Sequence, residues 1–163
     1  MRGSQSLIHF KKFWEPEGPI TPFSGECVEY PECMDQNELA SLADDWIKYW
    51  HAPKSSPERE RYVDATDLYD LEYNEPETLW LLILEIHQRD RSGPIQQVLS
   101  AGPLENLLAM HGDRFIDRVE MEGRKDPSFA KLLGGVWQNN MTDTVWKRVH
   151  AVRDRRGWDG IPK

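Results

Sequence analysis

From Leu39 to Trp50 the apolar residues Leu39, Leu42, Ala43, Trp46, Ile47 and Trp50 recur every three or four positions, the spacing of one helix face. Asp35 and Glu38 have the spacing of a capping box and Pro53 is a stop, so the pattern predicts a helix over 36–51. Ser56 and Pro57, an N-cap and a first-turn proline, open a second helix predicted over 57–73. Its inward positions are Tyr62, Ala65, Leu68, Tyr69 and Tyr73. A third helix, 76–89, begins at Pro76 and is apolar nearly all round between Leu79 and Ile86, which makes it the central core helix.

The stretch "SAGPLENLLAMHGDRFIDRVEMEG" reads as two short helices, 103–111 and 113–122, separated by Gly112 as a left-handed stop, with Gly123 as the next stop. Two more follow over 127–137 and 143–154, the first carrying Phe129, Leu132, Leu133, Val136 and Trp137, the second capped by Thr142. The Gly134–Gly135 pair suits a close approach or a bend. Trp80, Ile83, Leu107, Phe115, Ile116 and Trp146 are the expected core. Before residue 36 there is no sustained period: Pro16, Pro19, Pro22 and Pro31 alternate with aromatics, which predicts an irregular arm over 1–35 packed on a single helical domain, 36–163. The expected class is therefore all-α, an antiparallel helical bundle or a short array of helical hairpins with that N-terminal arm.

Composition narrows the setting. With 29% charged and 39% apolar residues the chain belongs to the globular class rather than the disordered one. Its net charge of −8 argues against nucleic acid and anionic membrane as partners, since both are bound mainly through Lys and Arg, and favours a cationic partner. No apolar run approaches the ~18–20 residues of a membrane span, and the start "MRGSQSLIHFKKFWEPEG" lacks a signal-peptide core, so the cytoplasm is the expected location. In that compartment Cys27 and Cys33 are expected as free thiols, and a zinc site built on this single loose pair is not favoured.

The run "AGPLENLLAMHGDRFIDRVEMEGRKDPSFAKLLGGVWQNNMTDTVWKRV", with the acidic, Trp-containing segment before it, resembles a small bacterial all-helical family catalogued only as a domain of unknown function. The resemblance spans Asp64 to Val149 and leaves out the arm. It implies a helical fold and carries no activity, cofactor or site residue.

The candidate chemistry is sparse. His111, on the same helical side as Leu104 and Leu108, suits a half-buried imidazole bonded to a helix end better than an acid–base catalyst. His87 and Glu85, two apart in "LEIHQRD", face differently and form no joint site alone. No phosphate loop, nucleophile elbow or HExxH motif is present, and no cofactor is expected. Charge is more informative. Between Glu58 and Glu77 eight acids face two arginines, and Glu60, Asp64 and Asp67 have the spacing of one helix face. The C-terminal segment is the reverse, with a net charge of +4 from Lys147 to Lys163, and is expected to dock on the chain's own acidic face. Glu60, Asp64, Asp67, Asp70 and Glu77 with Tyr69 and Tyr73 are the candidate partner-binding residues. The reading is a protein-binding module, in its most concrete form an immunity protein or inhibitor that neutralises a basic toxin or effector domain. The competing reading is a metal-dependent hydrolase in which Asp64, Asp67 or Asp70 converge with His111.

Overall fold

The computed structural model describes residues 34–156 and Trp158; the expected arm, including Cys27, Cys33 and all of its aromatic residues, lies outside them except for Met34 and Asp35. The fold is all-α, with no strand among the described residues. Helix α1 spans Gln36–His51, and its N-cap is the expected capping box: Asp35 accepts from the backbone of Asn37 and Glu38 while Glu38 accepts from the Asp35 N–H. It packs on α4, Pro76–Arg89, whose Leu79, Leu82, Ile83 and Ile86 are fully buried. Trp80 stands at the centre, 6.2 Å from Phe115 and 5.9 Å edge-on from Phe129.

Between α1 and α4 the predicted single helix over 57–73 is broken into three short pieces: α2, Pro57–Glu60; a 3₁₀ turn, Val63–Thr66; and α3, Tyr69–Tyr73. The cause is local competition for backbone partners. The Thr66 hydroxyl donates to the Val63 carbonyl at 2.6 Å, and Asp67 Oδ1 accepts from the Tyr69 N–H at 3.3 Å. Ala65, Leu68 and Leu71 still reach the core, but Tyr69 and Tyr73 point outward.

A helix unexpected from the sequence, α5, spans Gly93–Leu99 and runs through a π turn, Ser100–Leu104, directly into α6, Glu105–Lys125. Pro103 therefore does not start a helix. It lies within the wider turn, where a residue that cannot donate a backbone hydrogen bond is accommodated. Gly112 and Gly123 are not stops either. Both lie inside α6, which bends at His111 (φ −127°, ψ 17°) without ending. Gly112 serves contact: a Cβ there would sit 2.8 Å from Val145 Cγ1 of α8, Asp143–Val152, so the absent side chain lets α8 press against α6.

Helix α7 spans Pro127–Leu133 and stops four residues short of the predicted end. The glycine pair after it makes the expected close approach: a Cβ on Gly134 would lie 2.1 Å from the Asp154 carbonyl, and one on Gly135 2.4 Å from Ser100 Oγ. The chain then turns through Asn139, whose φ of 43° is in the left-handed region that asparagine tolerates. Glu105, 9% exposed, holds this turn by accepting from the Trp137 N–H and from Asn139 Nδ2, each at 3.0 Å. Trp137 itself is exposed, contrary to its apolar-face assignment, because the helix has already ended. Five of the six expected core residues are buried; Trp146 is only half-buried, covered by His150 edge-on and by the Arg153 guanidinium 4.7 Å above its ring.

Candidate functional site

The acidic segment between α1 and α4 does not form the single charged helix face that its spacing suggests, since the helix is interrupted twice. Glu60, Asp64, Asp67 and Asp70 are nonetheless all exposed. Among the described residues none of the four takes part in an ion pair, although Asp70 accepts from Asn74 Nδ2 at 2.5 Å. Tyr69 and Tyr73 stand among them, 64% and 54% exposed, with ring centroids 4.4 Å apart. Exposed Tyr rings in mutual contact are rigid and amphipathic, the property that places tyrosine at protein interfaces.

Glu77 departs from this group. Its two oxygens accept from Arg114 at 2.9 Å and Arg118 at 2.5 Å, so it ties α4 to α6 rather than standing free. Four further acids behave likewise: Asp44 and Glu85 share Arg89, while Asp117 and Glu120 share Arg148. The Arg148 pairs also correct the expected docking of the C-terminal cations. Arg148 binds Asp117 and Glu120 of α6 and Arg156 binds Asp154, and among the described residues no C-terminal cation pairs with an acid of the 58–77 segment.

His111 is half-buried and its Nε2 lies 2.7 Å from the Glu72 carbonyl in the last turn of α3, the packing role expected of it. Asp64, Asp67 and Asp70 do not gather around it. Among the described residues no group of three or more His, Cys, Asp or Glu side chains could hold a metal ion.

A second polar centre lies where α4, α5 and α7 meet. His87 is 3% exposed and packs edge-on against Phe129, with ring centroids 5.5 Å apart. Its Nδ1 is 2.8 Å from Gln96 Oε1 and its Nε2 is 3.0 Å from Ser128 Oγ. The Gln96 amide is oriented by its other end, which donates to the Asp90 carbonyl at 2.7 Å; the oxygen therefore faces His87 and accepts from Nδ1–H. Burial lowers the His87 pKa and so favours the neutral ring, and Nε2 then offers a lone pair to the Ser128 hydroxyl. Asp126 Oδ2, paired with Arg91 at 3.3 Å, stands 3.6 Å from Nε2, beyond hydrogen-bond distance. Beside Ser128 opens a cavity of about 210 Å³ lined also by Arg91, Lys131, Leu132 and Trp158. The sequence offered one signal for this centre, a histidine at the inward position of an apolar helix, and none for its partners.

No helix among the described residues is long and apolar enough to cross a membrane. No curated protein and no solved structure matches the chain. The resemblance read between Asp64 and Val149 is borne out and reaches further at both ends: residues 52–157 match the model of a family of unknown function, DUF6869, and the chain belongs to that family.

Proposed function

We propose that the protein is a protein-binding module whose contact surface is the broken acidic segment from Glu60 to Asp70 together with Tyr69 and Tyr73. One observation carries this reading: four exposed carboxylates of one short segment, none in an ion pair among the described residues, share that segment with two exposed tyrosines whose rings are in contact, while Asp44, Glu77, Glu85, Asp117 and Glu120 each hold an arginine of their own chain. Carboxylates left unneutralised create a negative field that speeds encounter with a basic surface, and the tyrosines supply area that can be desolvated once contact is made. The partner is then a basic protein, and inhibition of a basic toxin or effector domain, as by an immunity protein, is the concrete form. Glu77 falls outside the surface because its charge is already used between α4 and α6.

The test is capture of partners on immobilised protein, followed by stopped-flow association. Reversal of Asp64, Asp67 and Asp70 to Lys should slow association several-fold and flatten its salt dependence, while Tyr69→Ala with Tyr73→Ala should mainly speed dissociation. A partner that binds the charge-reversed protein at the wild-type rate, indifferent to salt, would sink this reading.

A further inference from the structure

The His87 centre plays no part in binding through the acidic segment, and its geometry exceeds what packing demands. A buried histidine is satisfied by any two hydrogen-bond partners, yet here the chain Asp90 carbonyl, Gln96 amide, His87 imidazole, Ser128 hydroxyl runs in one direction, each group donating or accepting as its neighbour requires. It ends on a serine oxygen beside a cavity. With its proton directed at Nε2, Ser128 Oγ presents lone pairs to that space, and Lys131, in no ion pair among the described residues, brings positive charge to it beside Arg91, whose charge is shared with Asp126. A hydroxyl whose proton is held by a neutral imidazole, with the imidazole oriented by a third group, is the arrangement of an activated nucleophile.

We infer that Ser128 is a nucleophile with His87 as its general base and Gln96 as the positioning residue, and that the cavity accepts a small carboxylic ester bearing a negative charge. In the first step Oγ bonds to the ester carbonyl carbon as its proton passes to Nε2. The bond from that carbon to the alcohol oxygen breaks, and the departing alcohol takes the proton from Nε2. The oxygen of a water then bonds to the acyl carbon as one of its protons passes to Nε2, and the bond from that carbon to Oγ breaks, releasing the acid as the proton returns from Nε2 to Oγ. No metal or redox partner enters the balance.

The charged groups facing His87 are Arg91 after α4, Asp126 before α7 and Lys131 within α7; burial and Arg91 disfavour the imidazolium while Asp126 favours it. A fluorophosphonate probe on the full chain, followed by peptide mass spectrometry, should give an adduct on Ser128 that is absent from Ser128→Ala. Its rate should rise with pH along one titration whose half-point lies below the ordinary histidine value of about 6.5. His87→Gln should lower the rate by about 100-fold or more, and Gln96→Glu should move the half-point upward by stabilising the imidazolium. The wild-type pH profile stands as a test even if either variant fails to fold. In a second arm, para-nitrophenyl hemisuccinate should be cleaved faster than the neutral acetate ester, a preference lost when Arg91 and Lys131 are both changed to Gln. No adduct at Ser128 under conditions that label a serine esterase in the same solution, or a rate independent of pH, overturns the nucleophile. Equal cleavage of the two esters overturns the anionic substrate. The partner-binding measurements do not involve Ser128, so the two proposals fail independently.

Discussion

The contact between Gly112 and Val145 allows a quantitative test of how α6 meets α8. Replacing Gly112 with Ala raises helix propensity in α6 by about 0.8–1.0 kcal/mol. Against this, the new Cβ would lie 2.8 and 2.9 Å from the two methyls of Val145, which is 1% exposed. Normal carbon contacts are about 3.5–4.0 Å, so the helices must separate by several tenths of an ångström, because a β-branched side chain has little freedom to rotate away. Overpacking of this kind costs about 1–3 kcal/mol, and the net loss should reach up to about 2 kcal/mol. Val145→Ala alone removes two buried carbons, worth about 1.6 kcal/mol at about 0.8 each before any cavity term. In the double variant the Cβ at 112 enters the space the Val145 methyls vacate, so the overpacking disappears and the cavity is partly filled. Urea unfolding of the four proteins followed by circular dichroism should then show a favourable coupling of about 1–3 kcal/mol. Additivity within about 0.5 kcal/mol would mean the two side chains do not meet, and the helix contact described above would be wrong.

Glu105→Ala removes the acceptor for the Trp137 N–H and Asn139 Nδ2 and should cost about 1.5–3 kcal/mol by urea unfolding, with Glu105→Gln losing less; an unchanged midpoint would show that the turn after α7 does not depend on it. The lowered pKa of His87 has a definite sign: the unfolded ring takes a proton near pH 6.5 and the buried ring resists, so this contribution is complete above that pH and is lost as pH falls through it toward the folded value. The urea midpoint should therefore fall between about pH 7.5 and pH 5.5, less so in His87→Gln, and well above the range where the depressed Asp90 and Asp126 begin to protonate. Equal slopes in the two proteins would remove His87 as the cause. Reversal of Asp64, Asp67 and Asp70 to Lys should cost no more than about 1–2 kcal/mol, because none of the three is in an ion pair and only the exposed hydrogen bonds of Asp67 to the Tyr69 N–H and of Asp70 to Asn74 are lost; a larger loss by calorimetry would show that these acids hold the segment together.

What the sequence makes legible is the chemistry that acts within one helical turn. Asp35 with Glu38, Ser56 with Pro57, and Thr142 each satisfy backbone donors a few residues away, and each is found capping the expected helix. Glycine is ambiguous at the same range. A helix stop needs its conformational freedom and a tight helix contact needs its lack of a side chain, and both demands read identically as Gly112; only Val145, from another helix, decides between them. The same holds for charge. Glu77 and Asp70 look alike in an acidic run, yet Arg114 and Arg118 reach Glu77 from α6 while Asp70 meets only the neighbouring Asn74. His87 shows how far a local signal goes. An imidazole at the inward position of an apolar helix must find hydrogen bonds or be costly to bury, so its position announces polar partners without naming them. Gln96, nine residues on, could be reached by a short turn, but Ser128, forty-one residues on, is brought to Nε2 only when α6 has run its length and α7 returns onto α4. The reactive pair is thus a product of chain closure, and helix periodicity on either element alone carries no trace of it.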